Sequence, residues 1–194
     1  MANTKQIAVL VGSLRKESFN RRLALAVEKL ARGGLTFEHL RIDDLPLYNQ
    51  DFDADFPPAC RRLKQAIQAC DGLLFVTPEY NRSVPGVLKN AIDIASRPYG
   101  KSAWSGKPAA VVTVSPGAIG GFGANHHLRQ SLVFLDMPTL QQPEAYIGGA
   151  AELFDAQGNL AKESTREFMR KFLAAFAQWI ERNAPSPQAR AKAA

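Results

Sequence analysis

Three short apolar runs constrain this chain most, and each stops at a glycine or a proline. Residues 7–11 end at Gly12, residues 72–77 at Pro78 and residues 109–115 at Pro116. Runs this short, rich in branched residues and free of polar alternation, suit strands buried on both faces of a parallel sheet. Helical stripes lie between them. Phe19, Leu23, Ala26, Val27 and Leu30 form the first; Cys60, Leu63, Ala66, Ile67 and Cys70 the second; Val84, Leu88, Ala91, Ile92 and Ala95 the third. Residues 36–42 read as a second strand. Leu128, Leu132, Val133 and Leu135 mark a fourth helix, and residues 139–147 give the faintest strand pattern. A last helix carries Phe168, Met169, Phe172, Leu173, Phe176, Trp179 and Ile180 on one broad face.

The order βαβαβαβαβα predicts an α/β fold, a doubly wound five-stranded parallel sheet with helices on both faces. Residues 1–183 read as a single domain, and the polar, Ala-rich residues 184–194 as a mobile C-terminal tail. Punctuation follows local chemistry: Gly33-Gly34 to stop the first helix, Asp55 to cap the second with Pro57-Pro58 in its first turn, Ser83 to cap the third.

Composition narrows the function classes. Apolar residues make up 46% and charged residues 22%, ordinary for a soluble globular domain. No apolar run approaches the ~20 residues of a membrane helix. The first residues move straight into a strand without a signal-peptide pattern, so a cytoplasmic protein is expected. Cys60 and Cys70, on one helix at ~1.5 Å per residue, would sit ~15 Å apart, beyond the ~7 Å limit for a disulfide. They are expected to pack as small apolar residues. The net charge of +6 has one local knot, Arg15, Lys16, Arg21 and Arg22, which fits a single phosphate better than a nucleic acid.

In doubly wound sheets, ligands bind outside the carboxyl ends of the strands where strand order reverses. The loops after strands one, three and four are the unusual stretches of this chain. Loop one, residues 12–20, reads Gly-Ser-Leu-Arg-Lys-Glu-Ser-Phe-Asn. It has neither the spaced glycines of a dinucleotide fingerprint nor the Gly-Lys-Ser/Thr of a triphosphate loop. It offers the hydroxyls of Ser13 and Ser18, the Arg15 guanidinium, the Asn20 amide and free backbone N–H groups at a helix start, which together suit a terminal monophosphate. The alternative makes Ser18 a plain cap and Arg15 a solvated side chain. Loop three, residues 77–86, presents Tyr80 and several backbone amides, a ledge for a flat heteroaromatic ligand or an ordinary turn before a helix. Loop four, residues 115–121, lacks bulk, so a ring can approach its backbone closely. Arg97, at the end of the third helix, is expected to reach the same mouth.

These stretches carry a resemblance. Gly12-Ser13-Leu14-Arg15 with Ser18 and Asn20, then Pro78-Glu79-Tyr80-Asn81, then the run from Pro85 to Asp93 resemble the NAD(P)H-dependent FMN reductase family, and within it the quinone, chromate and azo-dye reductase branch. The likeness spans roughly residues 5–182. It implies a flavodoxin-like fold with one non-covalent FMN and NADPH or NADH as electron donor. It implies Ser13, Arg15, Ser18, Phe19 and Asn20 around the phosphate. Pro78, Glu79, Tyr80 and Asn81 would line the ring, chiefly through backbone, with Ser115 and Gly117 on the other side. Tyr80 and Arg97 would face the substrate, a small-molecule acceptor such as a quinone, chromate or azo dye. A homodimer is implied, and a homotetramer in which His127 and Glu144 help to join dimers, although residues 123–127 depart from the tyrosine- and arginine-bearing versions of that region.

The same resemblance implies a two-step exchange at one open face, from nicotinamide to flavin and from flavin to acceptor, with no side chain required as acid or base. The competing reading is an FMN-binding electron carrier that does not oxidise NAD(P)H itself. No metal site is expected. Adjacent helical residues such as His126 and His127 point about 100° apart, and His39 on the second strand reads as structural.

Overall fold

The computed structural model describes residues 4–31 and 33–183; the tail expected at 184–194 lies outside the described residues. The elements run β1 (Lys5–Val11), α1 (Phe19–Leu30), β2 (Leu35–His39), a 3₁₀ turn at Gln50–Asp53, α2 (Pro58–Ala69), β3 (Gly72–Thr77), α3 (Gly86–Ala95), β4 (Ala109–Val114), α4 (Phe122–Phe134), β5 (Ala145–Ile147), a second 3₁₀ turn at Ala150–Glu152 and α5 (Glu163–Asn183). The five strands pair in parallel in the order β2-β1-β3-β4-β5. This is the expected doubly wound sheet, with strand order reversing between β1 and β3.

The central strands explain why the apolar runs do not alternate with polar residues. Every residue of β3 and β4 is buried. Leu74, Val76, Ala110 and Val112 point into a core shared with α1 and α5. Their neighbours Leu73, Phe75, Ala109 and Val111 point into a second core under α2, α3 and α4. A strand covered on both faces needs apolar side chains at every position. The second core closes over Trp104, fully buried, whose indole N–H donates to the Ile92 carbonyl at 2.9 Å.

Several boundaries differ from the sequence expectation. The expected strand 139–147 shrinks to Ala145–Ile147, and Thr139 makes only an isolated bridge to Ala109. Pro143 in that stretch supplies no N–H for a ladder. Ser83 does not cap α3. The helix starts at Gly86 behind Pro85, whose fixed φ sets its entry, and the Ser83 hydroxyl lies 3.0 Å from Nδ1 of His127 instead. Asp55 does not cap α2, which begins at Pro58 with Pro57 before it. α4 begins at Phe122, six residues before the Leu128 that marked it, because the glycines of loop four turn straight into it. Cys60 is buried in α2, while Cys70 is its C-cap; both thiols are free, and burial pushes both up from their ordinary titration range. Among the described residues no helix is long and apolar enough to cross a membrane.

Candidate functional site

Loop one leaves β1 at the switch point, and its geometry is fixed by close packing. The Gly12 N–H donates to the Val76 carbonyl at 2.9 Å. A Cβ on Gly12 would lie 2.2 Å from Oγ1 of Thr77, so only glycine lets the end of β1 lie against the end of β3. The loop then enters α1 through Ser18, whose Oγ accepts the Arg21 N–H at 3.3 Å. That is the N-cap role, but it uses only a lone pair. The hydroxyl hydrogen stays available to an anion at the positive end of the helix.

Asn20 ties loop one to loop four. It is buried, and its Nδ2 donates to the carbonyl of Val114, the last residue of β4, at 3.3 Å. Its Oδ1 has no partner within the described structure. A buried acceptor left open beside loop one fits a hydroxyl donor, which the sugar-alcohol chain of a flavin mononucleotide supplies. Ser13 is half-buried; Arg15 is exposed, its guanidinium 5.6 Å from the centre of the Phe19 ring. The loop thus offers the donors and the cation that a phosphate group needs.

Loop three is a tight two-residue hairpin. Tyr80 and Ser83 exchange N–H···O bonds of 3.0 and 2.9 Å, and Asn81 and Arg82 between them have φ of 50° and 64°. Both central residues of such a turn must be left-handed. Pro78 and Glu79 lead into it, and Tyr80 stands half-exposed at its edge. The Glu79 side chain turns away from solvent: its Oε2 accepts the Ala124 N–H at 3.0 Å. Gly121, at the N-cap of α4, has no side chain to cap with, so Glu79 does this from a different loop. Sequence reasoning gave Glu79 a backbone role only. The available signal was a helix opening on Gly120-Gly121 without a polar cap.

Loop four begins with Ser115, which accepts the Gly117 N–H on its Oγ at 3.3 Å. Gly117 itself is exposed. Loops one, three and four therefore meet at one edge of the sheet, bound by Gly12 on Thr77, Asn20 on Val114 and Glu79 on Ala124.

Arg97 is not brought to this mouth. α3 starts just beyond loop three and runs back along the sheet, so its end lies about 15 Å away along the helix. There Arg97 donates to the Tyr48 hydroxyl at 2.8 Å and pairs with Asp53 at 3.1 Å, clamping the irregular segment after β2. The basic knot is also divided. Arg22 stacks on Phe154, 4.3 Å from its ring centre, whereas Arg15, Lys16 and Arg21 line a cavity on the β2 side of loop one. His126 and His127 diverge. Nε2 of His126 lies 3.0 Å from the Tyr146 hydroxyl, and His127 engages Ser83. Tyr146 is pushed up to about 12, by burial first and then by its bond to Glu144. No group of three or more His, Cys, Asp or Glu able to hold a metal occurs among the described residues. His39 pairs with Glu28 at 3.2 Å.

An α/β domain with strand order 2-1-3-4-5 and a Ser18-capped helix start at the switch point has the architecture of the flavodoxin-like flavoproteins. The family model for NADPH-dependent FMN reductase matches residues 6–152, and the chain belongs to that family. It is 61% identical over 184 residues to a quinone reductase of Pseudomonas putida, covering 94% of this chain and 98% of that one. It is 51% identical to a 2-hydroxy-1,4-benzoquinone reductase of a Burkholderia species, covering 90% and 96%. Among solved structures, the flavoenzyme NAD(P)H:(acceptor) oxidoreductase FerB of Paracoccus denitrificans superposes with a TM-score of 0.89 at 48% identity, over 94% of this chain and all of that one. The chain is thus an oxidoreductase enzyme that works with FMN and a nicotinamide donor.

Proposed function

We propose that this enzyme passes two electrons from NAD(P)H to a quinone at the mouth formed by loops one, three and four. The observation that carries the reading is the Asn20 tether. It joins the anion-binding loop to the end of β4 and leaves one buried acceptor for a hydroxyl-bearing ligand. FMN, when bound, supplies the redox chemistry, accepting a hydride equivalent and returning electrons to the acceptor. The protein's part is placement. Ser13, Arg15, Ser18, Phe19 and Asn20 hold the phosphate arm. Pro78, Glu79, Tyr80 and Asn81 give the ring a rigid ledge, and Ser115 and Gly117 close its other side. Tyr80, half-exposed, forms the wall against which an aromatic acceptor stacks.

The quinone acceptor rests on the relatives' names and on the open mouth. Exposed Phe122, Val133 and Phe134 along α4 support a homodimer. His127 and Glu144 are engaged within the chain by Ser83 and Tyr146, so they lend no support to pairing dimers into tetramers. The free, buried cysteines support a cytoplasmic setting.

The test is anaerobic mixing of the yellow, flavin-loaded protein with NADPH and with NADH. Bleaching by either, and recovery on adding benzoquinone, is the expected result, with parallel steady-state lines. A protein that stays yellow with both donors would instead be an electron carrier, and one that is colourless and cannot be loaded with FMN would not be an enzyme of this kind.

A further inference from the structure

On the β2 side of loop one, a cavity of about 360 Å³ opens between α1 and the segment after β2, with Ser13, Leu14, Arg15 and Lys16 of loop one along one wall. Val9, Val11 and Leu25 form its apolar part; Arg15, Lys16 and Arg21 stand around it. Leu25 and the neighbouring Leu14 are large apolar side chains left 44% and 56% exposed. The cations differ in how they are engaged. At the cavity's lip, Arg41 is tied by two bonds of 3.1 Å to Asp43, and His39 is paired with Glu28. Among the described residues, Lys16 and Arg21 have no acidic partner, and Arg15 lies only against Phe19. Scattered unpaired cations are ordinary on a surface. Three of them around a concave patch with an apolar floor describe a particular ligand, a flat heterocycle that also carries phosphate.

The chain's own donor has such an end. In dinucleotide sites, an acidic side chain beyond the second strand selects an unphosphorylated ribose 2′-hydroxyl, whereas an arginine accommodates a 2′-phosphate. Here the acid beyond β2 that lines the cavity, Asp43, is already occupied by Arg41, and the free groups are cations. We infer that this cavity receives the phosphorylated adenosine end of the nicotinamide donor and biases the enzyme toward NADPH over NADH. The identity of the ligand rests on the reductase reading above; the existence of an anion-and-heterocycle site does not.

The test uses the flavin-loaded protein and calorimetric titration with adenosine 2′,5′-bisphosphate, 5′-AMP and inorganic phosphate, followed by the double variant Lys16→Gln/Arg21→Gln. The bisphosphate is expected to bind about tenfold or more tighter than either other probe, and to weaken with added salt. In the double variant its binding falls, and the KM for NADPH rises about tenfold, while the KM for NADH, kcat and FMN content are unchanged. Equal binding of all three probes would reduce the cavity to a non-selective basic patch and overturn the inference. Loss of FMN in the double variant would assign the cavity to the flavin anchor, and an equal rise in KM for both donors would remove the selectivity; either result also overturns it. Failure of either nicotinamide to bleach the wild-type flavin would count against the reductase reading, and the titrations, which need no turnover, would still decide the cavity separately.

Discussion

Oε2 of Glu79 lies 3.0 Å from the N–H of Ala124, the third residue of helix α4. One carboxylate thereby joins loop three to the helix that follows loop four, and it supplies the cap that Gly121 cannot. Glu79→Ala is expected to lower unfolding stability by about 1–2 kcal/mol, the usual cost of a lost N-cap. Glu79→Gln should cost less, since its amide oxygen still accepts but the charge facing the helix start is gone. Equilibrium urea unfolding of the flavin-free protein measures this. An alanine variant as stable as the wild type would mean that the contact does not hold α4.

The hairpin of loop three stores strain at a stated place. Arg82 adopts φ 64° without being glycine, and its ion pair with Glu79, at 3.3 Å, leaves the guanidinium side chain largely in water. Such a pair contributes little, whereas a left-handed non-glycine residue costs roughly 1–2 kcal/mol. Arg82→Gly should therefore stabilise the protein by about 0.5–1 kcal/mol after the glycine's extra chain entropy is subtracted. Arg82→Val should destabilise it, because branching at Cβ worsens the same conformation. Thermal unfolding of the two variants side by side decides the matter, and a glycine variant less stable than the wild type would show that the side chain outweighs the backbone.

The central strands were legible because they are buried on both faces. Residues 72–77 had to be a strand, since Gly-Leu-Leu-Phe-Val-Thr has no polar side to expose, and β3 occupies those residues. The start of α1 was legible as well: Ser18, just before the stripe that opens at Phe19, caps the helix. The links between loops were not. Glu79 meets Ala124 across 45 residues and Asn20 meets Val114 across 94, and neither spacing follows any period. Ser83 misled because a serine before a helical stripe looks like a cap, while Pro85 two residues later already set the helix entry. Arg97 misled because adjacency to α3 says nothing about which end of the sheet the helix reaches.

Gly12 marks the tightest approach at the site. A methyl group there would meet Oγ1 of Thr77 at 2.2 Å and its Cβ at 2.8 Å, and Thr77 is fully buried between β1 and β4. Nothing flexible can yield, so Gly12→Ala should cost about 2–4 kcal/mol as overpacking against backbone-anchored atoms. Thr77→Ser in the same chain removes only the methyl, leaves the 2.2 Å clash with Oγ1 and should recover little; Thr77→Ala removes the oxygen and should recover part of the loss. Unfolding of the single and double variants forms a cycle. Full additivity, with no recovery by Thr77→Ala, would mean that the two positions do not press on each other.

The acid limb of stability should carry the signature of Asp44. Arg62 donates to its two oxygens at 2.7 and 2.9 Å and holds its carboxyl down to about 2. The folded value lies below the ~3.9 of an unfolded aspartate, so the unfolded chain binds the proton first as pH falls. The contribution is complete above about pH 4 and is lost as pH drops through about 2. Its size is limited, because the side chains of Asp44 and Arg62 are 30% and 45% exposed, and partly hydrated pairs contribute about 1 kcal/mol or less. Asp44→Asn is therefore expected to be less stable than the wild type at neutral pH by up to that amount, with the gap closing between about pH 4 and pH 2. Denaturant midpoints measured in steps across that window read the gap directly. A difference that stays constant to the lowest pH would mean that the asparagine loses packing rather than charge, and that Arg62 does not distinguish the two.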